Sequence, residues 1–249
     1  MKALIFDLDD TLYNQEEPFK RAVQAYLPVQ DGQMGDLYIA FRLYADEVFE
    51  AATAGDITLE SSHIYRMKRA LADVGYAVSD ELAITIQQEY QENQGKLSLS
   101  PEFPAIFDYC RQNKIRLGII TNGPHLHQLR KLQSLEMTNW ISEYVTIISG
   151  QVGVTKPSKE IFDLMVEKMQ LLPEDMCYVG DSFENDVAGA KAAGWKAIWL
   201  NHRKRKQPQS PYQADAVVEE REELLGVIEQ LVSHSVTQFE AEQQGKANE

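Results

Sequence analysis

Short apolar runs, each ending in polar or small residues, constrain the fold of this chain more than any other feature. KALIFDLD opens the sequence, and runs of the same kind return at RLGIIT (116–121), YVTIIS (144–149), MCYVGD (176–181) and WKAIWLN (195–201), with ADAVV (214–218) as a further candidate. A continuous apolar run without polar alternation suits a strand covered on both faces, because each face then has to meet a hydrophobic neighbour. Helical stretches around 103–113, 125–136, 158–170 and 183–193 separate these runs, and another is expected over EELLGVIEQLV. Strand alternating with helix predicts a three-layer α/β core, a parallel sheet with helices on both sides.

Residues from about 15 to 97 break that alternation. FKRAVQAYL, LYIAFRLYADEVFEAA, SSHIYRMKRALADV and ELAITIQQEYQEN carry apolar residues at helical spacing, punctuated by Gly32, Gly35, Gly55 and Gly75. The expected organisation is therefore a core made of 1–14 and 98–234, an all-helical domain over 15–97 inserted after the first strand, and a polar, disordered tail over 235–249. A chain of 249 residues, 44% of them hydrophobic, can bury an interior of that size.

A formal charge of -14 argues against a nucleic acid polymer or an anionic membrane as partner, since most of the surface repels both. No apolar run approaches the roughly 20 residues a membrane span needs. The opening stretch turns acidic at Asp7 before a signal-peptide core forms, so a cytoplasmic location is expected. Cys110 and Cys177 lie inside apolar segments and read as buried free thiols. The one basic cluster, HRKRK (202–206), reads as a solvated loop after a strand. The glycines form no GxGxxG or Walker-type loop, which leaves a nucleotide-cradling P-loop unsupported.

Chemistry-bearing residues collect at the ends of the apolar runs. Asp7 and Asp9 in IFDLDDTLY fall on the same side of an extended chain, where two carboxylates require either a shared proton or a divalent cation. An acidic loop capping the following helix is the plainer alternative for this segment alone. GDSFENDV adds Asp181 after another buried run and Asp186 five residues later. In a parallel sheet, ligands bind outside the carboxyl ends of the strands, so these distant acids can share one crevice. A hard cation that prefers oxygen, such as Mg²⁺, fits a carboxylate cluster of this kind; no Cys or His stands at a spacing that favours zinc. ITNG offers the Thr121 hydroxyl and the backbone N–H groups of Asn122 and Gly123, and VTKPSKEIF offers Lys156 just before a helix. Oriented donors beside one fixed cation make an anion cradle, although Thr121 alone could be a turn former and Lys156 alone a surface charge.

Taken in this order, DLDDT (7–11), ITNG with Thr121, Lys156 and GDSFEND (180–186) resemble the four-part pattern of the haloacid dehalogenase superfamily of hydrolases. The resemblance spans residues 1 to about 200 and implies a Rossmann-like core. The helical insert is similar to the cap of a phosphatase subgroup of that superfamily. Carried over residue by residue, the resemblance makes Asp7 the nucleophile that becomes an aspartyl phosphate and Asp9 the acid/base. Thr11 orients Asp9. Mg²⁺ is held by the Asp7 and Asp181 carboxylates and the Asp9 backbone carbonyl, with Asp186 ligating directly or through water. Thr121, Asn122 and Gly123 hold phosphoryl oxygens, and Lys156 neutralises Asp7 and the phosphate. The founding dehalogenases do not have an acid at the position of Asp9, so Asp9 speaks for phosphoryl chemistry.

The expected activity is Mg²⁺-dependent hydrolysis of a small phosphorylated metabolite by a monomer or homodimer, with nucleoside 5'-monophosphates, sugar phosphates and phosphoglycolate all open as substrates. A sugar-phosphate phosphomutase of the same subgroup and a non-catalytic phosphate-binding scaffold are the alternatives. Within the insert, Arg66 and Lys68 read as a solvated helix face, and Tyr38, Phe41 and Tyr44 as packing within the helical bundle.

Overall fold

In the computed structural model, which describes residues 1–233, the chain opens with β1 (Ala3–Phe6), all four residues of which are buried. Five helices follow: α1 (Glu16–Gln24), α2 (Asp31–Glu47), α3 (Phe49–Ala54), α4 (Leu59–Asp73) and α5 (Asp80–Asn93). The rest alternates α6 (Phe103–Gln112), β2 (Arg116–Thr121), α7 (His125–Ser134), β3 (Thr146–Ile148), α8 (Ser149–Val152), α9 (Lys159–Met169), β4 (Met176–Gly180), α10 (Gly189–Ala192), β5 (Lys196–Leu200) and β6 (Ala216–Val218). A last helix covers 224–233. The chain separates into two compact units, one of Met1–Asn14 with the chain from Ser98 onward, the other Gln15–Leu97. The polar tail expected over 235–249 lies outside the described residues.

The six strands form one parallel sheet in the order β3-β2-β1-β4-β5-β6. Strand residues alternate between its two faces. Phe6 meets Phe103 and Phe107 edge-on at 5.7 and 5.6 Å, while Ala3 and Ile5 join a cluster of Phe162, Met165, Tyr178 and Trp195 on the opposite face. Hydrophobic side chains are needed on both sides, which explains the unbroken apolar runs in the sequence. The chain leaves β1 and returns in β2 on one side and β4 on the other, so the carboxyl ends of these three strands stand together.

Two elements depart from expectation. The stretch expected as one helix over 183–193 begins as a wide π-turn, Phe183–Ala188, and tightens into α10 only at Gly189. The run expected over 144–149 is a strand for only three residues, because a single 3₁₀ turn, Glu143–Val145, precedes it.

The helical unit is held by its own core. Phe19 on α1 packs 4.6 Å from Phe41 on α2 and edge-on against Tyr90 on α5 at 5.6 Å, each such aromatic contributing about 2–3 kcal/mol on burial. Thr58 and Ser79 cap α4 and α5 by accepting the N–H groups of Ser61 and Leu82. Tyr38 and Phe41 are buried in this core and Tyr44 lies partly buried against it. Arg66 is not solvated as expected: its guanidinium stacks 4.6 Å over the Phe41 ring and donates to Gln87, since a flat, weakly hydrated cation can lie on an aromatic face. Among the described residues, no helix is long and apolar enough to cross a membrane. Both cysteines are free and buried, and burial pushes each thiol up to about 12.

Candidate active site

Asp7 is the first residue beyond β1, and its N–H still pairs with Val179 of β4 at 2.9 Å, so the strand register fixes its position. Its carboxylate is buried and accepts from Lys156 Nζ at 2.6 Å. The same nitrogen donates to Asp186 Oδ1 at 2.7 Å and to the Tyr178 hydroxyl at 2.9 Å, which in turn donates to the Ile120 carbonyl. All three donor positions of the ammonium are therefore filled. Burial opposes the charge on Lys156, but Asp186 and Asp7 hold its pKa well above the ordinary value. Asp186 arrives because the π-turn folds back onto β4, where its Oδ2 accepts the Ser182 N–H at 2.9 Å. A Cβ at Gly180 would run into that carboxylate, so β4 must end in glycine.

Asp181 completes this corner. Carboxylate oxygens of Asp7, Asp181 and Asp186 all lie within 4.8 Å of one another. Burial, and then Asp186 and Asp10, push the Asp181 carboxyl up to about 7. Burial pushes Asp7 up as well, reinforced by Asp186 and Asp181 and opposed by Lys156. Three acids against the buried Lys156 ammonium and the half-exposed Arg205 guanidinium, 3.5 Å from Asp181, leave a deficit of positive charge. An all-oxygen donor set with that deficit fits a hard divalent cation such as Mg²⁺.

Asp9 lies in a second corner. Its Oδ1 accepts from the Tyr13 hydroxyl, its Oδ2 from Gln128 Nε2 at 2.9 Å, and Lys131 Nζ reaches both oxygens at 2.6 and 2.8 Å. Burial pushes this carboxyl up, but the Lys131 charge and the three sets of hydrogen bonds outweigh it and hold Asp9 below its ordinary value. Gln128 Nε2 also donates to Thr121 Oγ1 at 2.6 Å, linking Asp9 to the end of β2. Beyond Thr121, Asn122 exchanges two 2.9 Å hydrogen bonds with the backbone of Lys156, its Oδ1 accepting the N–H and its Nδ2 donating to the carbonyl. The Gly123 N–H donates to Ser149 Oγ at 2.9 Å. A Cβ at Gly150 would sit 2.6 Å from the Gly123 carbonyl, so glycine at 150 lets this turn close against α8.

The model of the haloacid dehalogenase-like hydrolases matches residues 1–194. This chain belongs to that family. Among its relatives, the phosphoserine phosphatase of Thermus thermophilus is 28% identical, the alignment covering 85% of this chain and 92% of the relative. The glyceraldehyde 3-phosphate phosphatase of Methanothermobacter thermautotrophicus is 30% identical over 81% of this chain and 86% of its own. The solved structure of Bacillus subtilis YfnB bound to magnesium has the same fold, with a TM-score of 0.60 at 22% identity, covering 91% of this chain and 97% of that one. Family and relatives together make this haloacid dehalogenase-like enzyme a phosphatase.

Three features of this family member differ from the reading of its sequence. Thr11 does not hold Asp9: its Oγ1 is buried with no hydrogen-bond partner, and Tyr13, Gln128 and Lys131 hold the carboxylate instead. The Asp7 and Asp9 carboxylates do not share one site as alternation along the chain suggested: Asp9 stands outside the three-acid group, which is compatible with the metal role that the resemblance gives to its backbone carbonyl rather than its side chain. The basic segment is no simple solvated loop. Arg203 grips Asp10 through two nitrogens at 2.5 and 3.0 Å, and Arg205 lies 3.5 Å from Asp181. Asp10 is buried with φ of 63°, and although burial pushes its carboxyl up, hydrogen bonds from His202 and Arg203 hold it well below the usual range.

Sequence reasoning also missed Tyr178, Gln128 and Lys131. Tyr178 hides within an apolar strand. Gln128 and Lys131 had a readable signal: two polar residues three apart on α7, directly after ITNG, face inward from an otherwise ordinary helix.

Proposed function

We propose that this phosphatase hydrolyses a small phosphomonoester through an aspartyl phosphate on Asp7. The observation that carries the reading is the buried Lys156 ammonium shared between Asp7 and Asp186 beside Asp181, because it supplies a nucleophile and the charges that let it meet a phosphate dianion. Asp7 attacks phosphorus while the bond to the ester oxygen breaks; Asp9, an ion in the free site, has to take up a proton as substrate binds and then passes it to that departing oxygen. Water then attacks the phosphorus of the acyl phosphate, Asp9 takes the proton, and inorganic phosphate leaves with Asp7 restored. Thr121 and the N–H of Asn122 hold the phosphoryl oxygens, the Gly123 N–H expected beside them being already donated to Ser149 Oγ, and Lys156 offsets charge on both partners.

Mg²⁺ is the cofactor this reading assigns to Asp7, Asp181, Asp186 and the Asp9 carbonyl, where it supplies the charge neutralisation that the three-acid corner lacks. Magnesium is present in the YfnB structure, which supports the choice. The relatives act on phosphoserine and on glyceraldehyde 3-phosphate, so small phosphorylated metabolites are the substrate class.

The test is release of phosphate from 4-nitrophenyl phosphate and a panel of phosphorylated metabolites with Mg²⁺ present. Asp7→Asn is expected to lower turnover by roughly 10³-fold or more while the circular dichroism spectrum stays unchanged. Full activity in that variant would refute the reading.

A further inference from the structure

Asp181 stands one residue beyond the end of β4, whose last residue, Gly180, pairs with Trp199 of β5. Past the last paired residue, the aim of a carboxylate depends on whatever else holds its backbone. Trp199 supplies that hold: its indole N–H donates to the Asp181 carbonyl at 2.9 Å. The ring is buried and meets Phe183 nearly edge-on at 5.1 Å. Phe183 opens the π-turn that carries Asp186 back to the corner. One side chain on β5 therefore grips the short segment between two of the three clustered acids, at Asp181 by a hydrogen bond and at Phe183 by packing. An indole offers a single donor, fixed in the plane of a ring that packing here holds still. Trp195 provides the contrast within the same apolar cluster: it is equally buried, but its indole nitrogen has no hydrogen-bond partner.

We propose that Trp199 is a positioning residue of the three-acid corner, and that by holding the Asp181 backbone it makes this corner favour Mg²⁺ over the larger Ca²⁺. The inference rests on the Mg²⁺ reading given above. Mg²⁺ demands a near-ideal octahedron of oxygens at about 2.0–2.1 Å, whereas Ca²⁺ accepts irregular arrangements at about 2.3–2.6 Å. A carboxylate that is free to wander therefore weakens Mg²⁺ more than Ca²⁺. Removing the indole N–H changes no charge, so the attraction of the corner for a dication is kept and only its geometry is loosened. Partners that hold a metal ligand are worth about 10–100-fold in metal affinity, and a hold on the backbone of the ligand belongs at the lower end of that range.

The experiment is calorimetric titration of the substrate-free protein with Mg²⁺ and, separately, with Ca²⁺. Trp199→Phe keeps a ring against Phe183 and loses the donor. Its Kd for Mg²⁺ is expected to rise about tenfold and its Kd for Ca²⁺ by about threefold or less, so the preference for Mg²⁺ falls. Should the smaller ring prevent folding, 3-benzothienylalanine at position 199, with sulfur in place of the indole N–H, keeps the shape and is expected to give the same result. Trp195→Phe makes the same chemical change where the N–H has no partner, and is expected to lower Tm while leaving the ratio of the two Kd values unchanged. An unchanged Kd for Mg²⁺, or equal rises for the two cations, in the folded Trp199 variant overturns the inference and leaves the cofactor reading standing. A fall in preference in Trp195→Phe as large as in Trp199→Phe overturns it as well, since lost core volume then accounts for both. A wild-type protein that binds no Mg²⁺ removes the cofactor reading and the inference with it.

Discussion

Lys156 and Lys131 both bury an ammonium against carboxylates, but Lys156 faces the crowded corner of Asp7, Asp181 and Asp186, while Lys131 faces Asp9 alone. The consequence appears in the acids. Asp181 is pushed up to about 7, whereas Asp9 is held below its ordinary value. One corner is short of positive charge and could hold a cation; the other is already balanced by groups of the chain itself. Nearness of lysine to aspartate is thus not enough to define a role, and the count of charges that share the lysine decides it.

The largest effect expected from this contrast is at Lys156. Lys156→Met leaves buried acids without their ammonium and is expected to lower the metal-free stability by about 3–5 kcal/mol, read from urea unfolding. Adding Asp186→Asn to that variant should return part of the loss. A double variant no more stable than the single one would break the account of a shared ammonium.

Metal addition comes next. At a free Mg²⁺ concentration about 100 times its Kd, the cation should stabilise the protein by about 2.7 kcal/mol, seen as a rise in Tm that a chelator reverses. Asp181→Asn should abolish most of that rise, and Asp9→Asn should keep it. The same variant tests the charge deficit through pH. Asp181 titrates near 3.8 in an unfolded chain and about 7 in the folded one. Between those values the folded protein holds a proton that the unfolded chain has lost, so without metal this group makes stability fall as pH rises from about 4 to 7. Asp181→Asn should flatten that slope. Asp9 has the opposite sign: the stability it contributes above its ordinary value disappears as pH falls through its lowered pKa.

Smaller losses are expected in the balanced corner. Lys131→Met should cost about 1–3 kcal/mol, because Tyr13 and Gln128 still satisfy Asp9, and Tyr13→Phe about 0.5–1.5 kcal/mol. A loss at Lys131 as large as that at Lys156 would erase the distinction between the two corners.

Much of this architecture was legible because it depends on local pattern. The apolar runs that became β1, β2 and β4 announce strands buried on both faces, and each is followed at once by the residue whose chemistry matters, as with Asp7 after Phe6 and Asp181 after Gly180. Partners supplied from elsewhere were not legible. Nothing in HRKRK says that Arg203 will reach Asp10 across 193 residues, and the pattern of charged residues alone favours solvent. Tyr178 is hidden for a different reason: a tyrosine in an apolar strand looks like any core aromatic until its hydroxyl is seen between Lys156 and Ile120. Thr11 was misjudged because proximity in sequence to Asp9 does not set the direction of a hydroxyl, and side chains arriving from α7 occupied the carboxylate first.

The Asn122 side chain pairs with both the N–H and the carbonyl of Lys156, much as a neighbouring strand would. One amide thereby adds a rung to the sheet beyond the point where its strands have stopped. Insertions that lengthen either of the two joined segments are tolerable only on the far side of this rung; on the near side they would let the ammonium drift away from the acids it serves. For anyone redesigning the enzyme, position 122 marks the inner limit of loop grafting.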